Sequence, residues 1–544
     1  MTSSPQQRPH QDFDAIVIGS GFGGTMAAYE LVRAGMRVLM IERGGWVERG
    51  PHNWESDGAF IHTPHYAADS AFRIIPATRT STQRLCTCVG GPSVFFGGAA
   101  FRFRERDFES NPEIVADSGA DWPIDYAALE PFYTDAERLL RVSGDSGQDP
   151  TEPPRSARYA TPARPLTAPA HRIAEAARSL GLRPFRIPLA INHEAEHGGT
   201  CVGCATCDAY ACAVSAKGDL ATRVIPALLA DGMTLLCDTV VRRLLHDRGR
   251  VHTVECVDKR SGEILRFRGA AVVLAAGALA TPHLLLASGL DRLSQSPQAV
   301  GRYLMRHCNA MVYGIFARRP NAEGVHHKQI AIHDFYFGAD AESGVGSVSA
   351  GAGSAPPGKL GNLQQIMAPA PGLLQHVLPR SVARLVAPAA QLLTGMLCLA
   401  EDQPRIENGV RIDRQALDEF ELPRLIVEHS YSDRDQQARR FLVRQARRLL
   451  RRAGALVTIT WPVSTFSHAM GTVRMGEDAG AAPLDAQCRY RGVENLWVTD
   501  GSAFPTSAGV NPSLTIAANA MRAGRAIAEG AERSTAGLGA SASA

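Results

Sequence analysis

Hydrophobic residues near the start of the chain fall into three blocks with different periods. Ala15 to Ile18 is a short unbroken apolar run, Phe22 to Ala34 spaces small and apolar residues as a helix would, and Arg37 to Ile41 is a second apolar run. Short unbroken runs predict buried strands and the middle block predicts a helix, so the segment reads as strand, turn, helix, strand. The same signature returns far downstream. Ala271 to Ala276 is a buried strand, Gly277 opens a turn into another helix, and before it "MTLLCDTVVRRLLHD" and "RVHTVECVDKRSGEILRFRG" read as amphipathic strands around a turn at Ser261-Gly262. An α/β fold is thus begun, interrupted and resumed.

Between these pieces, residues 106 to about 200 are richer in proline and charge, with helices predicted over Tyr126 to Leu140 and Ala168 to Leu180. The passage "GADAESGVGSVSAGAGSAPPGKLGN" reads as a flexible loop, and a long loop in an enzyme is a candidate lid. "YSDRDQQARRFLVRQARRLLRRAG" is a basic amphipathic helix with a solvated face. Leu385 to Ala400 is the most apolar long stretch; it is too short to span a membrane and carries Pro388 and Gln391, so it reads as core or pocket wall. Near the end, Asn495 to Thr499 is an apolar strand, Asp500-Gly501-Ser502 a polar turn, and Asn511-Pro512 the start of an alanine-rich helix. From Gly530 the chain becomes low in complexity and reads as a disordered tail.

Composition narrows the function. At 544 residues the chain exceeds a single core, and 45% hydrophobic with 20% charged residues is ordinary for a globular protein. A net charge of +3 gives no polycationic field for nucleic acid. Residues 1 to 11 carry neither an apolar core nor a small-residue cleavage site, and eleven cysteines are an odd count, so the expected compartment is the reducing cytoplasm. No integral membrane segment is predicted.

Gly19, Gly21 and Gly24 form G-x-G-x-x-G at the first strand-to-helix junction, with Phe22 and Gly23 between them, and Glu42 and Arg43 follow the second strand. Glycine permits the tight turn and the close approach of backbone to a pyrophosphate, the helix start offers free N–H groups, and Glu42 can accept from ribose hydroxyls. A carboxylate there disfavours a 2′-phosphate, which leaves NAD and FAD as candidates and counts against NADP. Glycine in a purely structural βαβ unit is the alternative.

Cys201, Cys204, Cys207 and Cys212 lie in "CVGCATCDAYAC". That spacing admits an iron–sulfur or zinc site, but it departs from the ferredoxin run in its last interval and lacks the following proline. The preferred reading is metal-free.

The stretches "VIGSGFGGTMAAYEL", "VGGPSVFFGGAAFR", "DWPIDYAALEPFYTDAE", "VVLAAGALATPHLLLASG", "SHAMGTVRMG" and "VTDGSAFPTSAGVNPSLTIAANAMRAG" occur in that order. Together they resemble the glucose-methanol-choline (GMC) oxidoreductases, in a branch that includes sugar- and glycoside-oxidising members. The resemblance implies a Rossmann-type FAD domain built from residues 1–105, 200–315 and 461–535. It also implies a substrate domain with a large, mainly antiparallel sheet from 106–199 and 316–460, leaving 536–544 as tail. In that family a histidine takes the proton of the substrate hydroxyl while hydride passes to flavin N5, and His468 holds that position in "SHAMGT". Asn511 in "NPSL" holds the partner position; an amide cannot take a proton, so it orients the hydroxyl. Some members bind FAD covalently through a histidine where this chain has Phe95, so FAD is expected to be non-covalent. Gly90, Gly91 and Ser93 would support the flavin edge, Val241 or Val240 would meet the adenine, Ala276 would line the cofactor site, and Asp500 and Gly501 would lie against the ribityl-phosphate. The helix start at Pro512 and Ser513 would favour negative charge on the reduced ring. The expected reaction is oxidation of a CH–OH group, on a sugar, glycoside or polyol, with a sterol or terpenoid alcohol as the alternative and O2 or another redox partner as electron acceptor. An NAD-dependent dehydrogenase and a non-enzymatic flavoprotein are the rivals.

Overall fold

The computed structural model describes residues 12–55, 71–75, 82–195, 199–338, 358–368 and 389–541. Its first unit follows the sequence pattern, with strand Asp12–Ile18, helix Phe22–Arg33 and strand Val38–Ile41. A parallel sheet runs in the order Thr234–Leu236, Val38–Ile41, Asp12–Ile18, Ile264–Leu274 and Leu496–Val498. Ile16, Val17, Leu39, Val273 and Leu496 are all buried, and helix Phe22–Arg33 packs on the sheet, which is why these strands read as unbroken apolar runs.

One strand differs from expectation. The separate strand expected over Ala271 to Ala276 is the second half of Ile264–Leu274 and ends at Leu274. Its first half pairs antiparallel with Arg250–Asp258, and its second half pairs parallel with Asp12–Ile18 and Leu496–Val498. Burial alternates along the first half and is continuous along the last residues, so the hydrophobic period changes where the neighbours change. A period change inside one strand looks, in sequence, like a boundary between two.

The second sheet is antiparallel, with six strands in the order Val457–Pro462, Ala310–Ile315, Leu393–Ala400, Gly361–Ile366, Ile330–Ile332 and Phe185–Arg186. Helix Asp433–Arg452 lays Ala438, Phe441, Leu442, Ala446, Leu449 and Leu450 on Val312, Leu363, Met396 and Cys398. Its start is fixed by Ser432 and Asp435 in a reciprocal capping box, and Arg440, Arg444, Arg451 and Arg452 point to solvent, as its amphipathic pattern requires. The apolar stretch at 385–400 supplies the buried strand Leu393–Ala400; residues 385–388 lie outside the described residues. Most of the glycine- and serine-rich passage, 339–357, also lies outside them, whereas its last two residues, Gly361 and Asn362, already belong to a strand.

Two boundaries are redrawn. Helix Tyr126–Leu140 was expected on the substrate side, yet Leu129, Tyr133, Ala136 and Leu140 share one core with Ile16 and Leu31. The Tyr133 hydroxyl meets Thr515 Oγ1 at 2.8 Å, and buried Arg102 donates from Nε to Glu137 at 2.8 Å, so the core does not divide at residue 106. The C-terminal helix runs from Ser513 to Ser541, through the segment expected to be disordered. Extending a helix already nucleated against Ala27 and Leu31 costs little per residue, and the segment is rich in alanine. Residues 542–544 lie outside the described residues.

His327 sits fully buried just before strand Ile330–Ile332; Asn321 Nδ2 donates to its Nδ1 at 3.0 Å and its Nε2 donates to the Ile366 carbonyl at 3.1 Å. That pattern suits only the neutral ring. Burial, followed by the neighbouring His326, pushes it down to about 4. The folded value lies below the unfolded one, so its stabilising contribution is present at neutral pH and is lost as pH falls from about 6.5 towards 4. Stability measured by thermal unfolding is therefore expected to fall between pH 7 and pH 5, and in His327→Gln that difference should shrink by about 2 kcal/mol even if the variant is less stable at both pH values.

Candidate active site

The glycine loop is built as a nucleotide site requires. Gly19 has φ +101°, and a Cβ on it would lie 2.4 Å from the Ala275 carbonyl oxygen. A Cβ on Gly24 would lie 1.9 Å from Gly19 O, so this glycine is what lets helix Phe22–Arg33 sit down on the strand. Gly21 is different, because a Cβ there would meet no protein atom within 4 Å. It is the N-cap of a twelve-residue helix with no side-chain cap, so open space lies over the unsatisfied N–H groups of the first turn. Beside it, buried Glu42 accepts from Ser20 N at 3.1 Å, Ser20 Oγ at 2.7 Å and Gly44 N at 3.0 Å. Burial raises its pKa, and these donors work against that. A carboxylate has further lone pairs for ribose hydroxyls, and these residues fit an adenine dinucleotide.

The second glycine segment lies against the first. Gly90 N donates to Ser20 Oγ at 2.9 Å, and a Cβ on Gly91 would be 3.1 Å from the Gly21 Cα. Ser93 Oγ donates to Gly90 O at 2.6 Å and accepts from Leu220 N at 3.1 Å. Phe95 is buried, while Phe96 packs edge-on against Phe22 with ring centroids 5.5 Å apart. The cysteine loop covers this segment. Buried Lys217 spends its ammonium on the carbonyls of Val94, Cys207 and Tyr210 at 3.3, 2.8 and 2.7 Å, and Ala209 N donates to Phe95 O. Cys201, Cys204, Cys207 and Cys212 are free thiols, and burial raises the first three. Among the described residues, no group of three or more His, Cys, Asp or Glu side chains is arranged to hold a metal ion.

The remaining expected cofactor contacts occupy varied positions. Asp500 turns its carboxylate inward, accepting from Gly277 N at 2.8 Å, from Ser502 N at 2.8 Å and from the Thr281 hydroxyl. It therefore ties the end of strand Leu496–Val498 to the turn after Leu274, and only its backbone and that of Gly501 are left to face a ligand. Ala276 is exposed in that turn. Val240 is packed with Phe420 and Leu422, Val241 is half-buried against the main core, and Arg43 lies over Phe420 and 3.9 Å from Asp418. The Pro512 carbonyl accepts from Ile516 N, and Ser513 Oγ donates to Ala99 O at 3.3 Å.

His468 and Asn511, 43 residues apart in the chain, meet. Asn511 Nδ2 donates to His468 Nε2 at 3.4 Å, and Asn511 Oδ1 accepts from Gln364 Nε2 at 2.7 Å. On its other side His468 Nδ1 faces His307 Nδ1 at 2.9 Å. The imidazole is partly accessible and Asn511 is buried. Burial, then His307, then Lys328 push His468 down to about 3, so it is neutral across the working range. Lys328 pairs with Asp208 at 2.9 Å, against Gly97, where a Cβ would be 2.5 Å from the ammonium. His307 and Gln364 were not identified in the sequence. Neither stands in a motif, and Gln364 in an apolar strand gives no sign that its register aims it at Asn511.

Fold and site together define a flavin-type alcohol oxidoreductase, and the comparisons agree. Two models of the GMC oxidoreductase family match residues 13–309 and 404–520, and the chain belongs to that family. Its members are FAD-dependent enzymes acting on CH–OH donors. The chain is 32% identical to 6'''-hydroxyparomomycin C oxidase of Streptomyces lividus, covering 95% of this chain and 91% of that protein. It is 31% identical to paromamine 6'-oxidase of Streptomyces fradiae, with the same coverage. Among solved structures, pyridoxine 4-oxidase from Mesorbium loti superposes with a TM-score of 0.65 at 20% identity, covering 94% and 98% of the two chains, which supports the fold. No helix of the described residues is long and apolar enough to cross a membrane.

Gly21 and Gly24 give a paired test, because one borders open space and the other borders backbone. Gly24→Ala is expected to lose stability or fail to fold. Gly21→Ala should keep the parent's thermal midpoint without cofactor yet bind FAD at least about tenfold more weakly, measured by fluorescence titration of the flavin-free protein.

Proposed function

We propose that the protein oxidises a CH–OH group of a sugar-derived or glycosidic alcohol, with His468 as the base and Asn511 as the group that holds the hydroxyl. The observation that carries this reading is the 3.4 Å approach of Asn511 Nδ2 to His468 Nε2. It presents one donor and one acceptor side by side, the pair a substrate hydroxyl needs for its own oxygen and proton. His468 Nε2 takes the hydroxyl proton, and Asn511 Nδ2 donates to the oxygen that becomes a carbonyl. FAD, when bound, supplies the two-electron acceptor for the carbon-bound hydrogen. The glycine loop, Glu42 and the Gly90-Gly91 turn would hold it, and Phe95, which has no nucleophilic atom, fits a non-covalent attachment. For the substrate, the names of the two Streptomyces relatives point to amino-sugar alcohols, and Lys328 with Asp208 offers polar groups near the base.

A second reading has its own observation. Gln364 pairs across the sheet with Leu397, Leu397 with Met311, and Met311 with Trp461, so one sheet face leads from the Asn511 contact outward through apolar side chains. Trp461 at the edge is 43% exposed. Such a row would suit a hydrophobic alcohol, a sterol or terpenoid among them.

Anaerobic mixing with a panel of amino sugars, glycosides, polyols and sterols, scored by loss of flavin absorbance, separates the two. His468→Ala is expected to keep bound flavin while its reduction by substrate slows by about 10²–10⁴-fold. Reduction at the parent's rate would remove His468 from the reaction.

A further inference from the structure

We infer that His307 is a positioning residue that sets the tautomer of His468, so that the nitrogen facing the substrate carries a lone pair. The inference rests on His468 being the base, and it starts from two backbone carbonyls. His307 Nε2 lies 3.1 Å from Ser507 O and 3.0 Å from Ala508 O. Carbonyl oxygens only accept, so that nitrogen carries the hydrogen. A buried neutral imidazole has one hydrogen, so His307 Nδ1 is an acceptor, and burial favours the neutral ring here. His468 Nδ1, 2.9 Å away, must then donate. With its one hydrogen committed there, His468 Nε2 is left as a lone pair beside Asn511.

The direction of this chain is imposed from one end only. At the other end stand two amides, Gln364 and Asn511, and an amide satisfies either polarity by turning over. With both turned, the same positions would fit a hydrogen on His468 Nε2, and the base would be lost. Backbone carbonyls cannot turn over, and His307 is the ring that carries their polarity to His468.

The surroundings hold His307 for this task. Its backbone is left-handed, at φ +62°, and so is that of Ala508, at φ +52°. Asp402 accepts from the backbone N–H of Arg306 at 2.8 Å and of His307 at 3.0 Å, and from Ser507 Oγ at 3.0 Å. Tyr431 donates its hydroxyl to His307 O at 2.8 Å. Strained backbone that is pinned on both sides is a common mark of a functional position. The two rings stand almost perpendicular, at 89°. When His468 gains the substrate's proton on Nε2, its Nδ1–H is already directed at His307 Nδ1, and no rotation or second transfer is required. The charged and titratable groups that act on His468 are His307, Lys328, Asp208 and Asp402, and of these His307 is the one hydrogen-bonded to its Nδ1.

The test uses the FAD-loaded enzyme. An amide carries an acceptor and a donor across one carbon, as imidazole does, so His307→Gln is expected to reduce flavin within about tenfold of the parent. His307→Leu, which has neither group, should lose about 10²-fold or more in reduction rate at unchanged substrate KM and with flavin still bound. Nitrogen NMR of histidine-labelled enzyme reads the tautomer directly and needs no substrate, with His468→Ala identifying the resonances. At pH 7 the parent should show His468 with Nδ1 protonated and Nε2 bare, whether or not either variant folds. Protonated Nε2 in the parent overturns the inference, as do equal losses in His307→Gln and His307→Leu, or no loss in His307→Leu. If instead His468→Ala reduces flavin at the parent's rate, it is the base assignment that fails.

Discussion

The meeting of His468 and Asn511 depends on one strip of backbone. His468 and Asn511 come from segments with no helix or strand of their own at that point, and each would be mobile in isolation. Residues 470–475 are stitched on one side to Met305, through N–H and carbonyl bonds between Met305 and Met470, and on the other to residues 501–503. Gly471 makes the double attachment possible. It has φ +94°, and a Cβ would lie 2.4 Å from the Tyr303 carbonyl oxygen. Thr472 completes it by donating its hydroxyl to Ala278 O at 2.7 Å. The glycine and threonine after the histidine therefore act mechanically, fixing His468 against the turn that follows strand Ile264–Leu274 and against the segment that leads to Asn511.

The same strip explains how an interrupted chain builds a single site. Asp500 fastens residues 277 and 281 to 502, and Gly23 lies where a Cβ would be 2.7 Å from Thr499 O. The glycine loop, the C-terminal turn and the segment after His468 thus form one hydrogen-bonded body. From the other sheet, Asn362 donates to Gly509 O at 2.6 Å, and Gly509 N donates to the Tyr336 hydroxyl at 2.9 Å. The approach to Asn511 is consequently shared between the antiparallel sheet and the C-terminal segment. Placement to a few tenths of an ångström is what proton transfer in a preorganised site requires.

The parts legible in the sequence were those in which one short segment does one job. The strand, glycine loop and helix at Gly19 to Gly24 advertise themselves because turn, close approach and anion site fall within six residues. Helix Asp433–Arg452 was legible because its two faces differ so strongly. The extent of strand Ile264–Leu274 was not, because it serves two sheets and its burial period changes midway. The core that crosses residue 106 was hidden too, since the pairing of Tyr133 with Thr515 joins positions 382 residues apart. At the site, His468 and Asn511 were found through motifs, whereas His307 and Gln364 act through register and side-chain reach, which a linear pattern does not encode.

Asp402 sets the surroundings of the proposed base apart from a common arrangement. A carboxylate set against a histidine commonly stabilises the imidazolium and so raises its basicity. Here Asp402 spends its lone pairs on the N–H groups of Arg306 and His307 and on Ser507, with His429 at 3.8 Å, and makes no hydrogen bond to either ring of the His307–His468 pair. Its hydrogen bonds go into holding Arg306, His307 and Ser507 in place, and neither ring of the pair donates to it. His307 is consequently free to stay neutral and to offer His468 a lone pair instead of a negative charge. A neutral partner fixes direction without adding much basicity, which accords with a His468 held down to about 3. In the proposed reaction the proton has one place to go, and the driving force for its departure is left to the oxidation of the carbon that bears the hydroxyl.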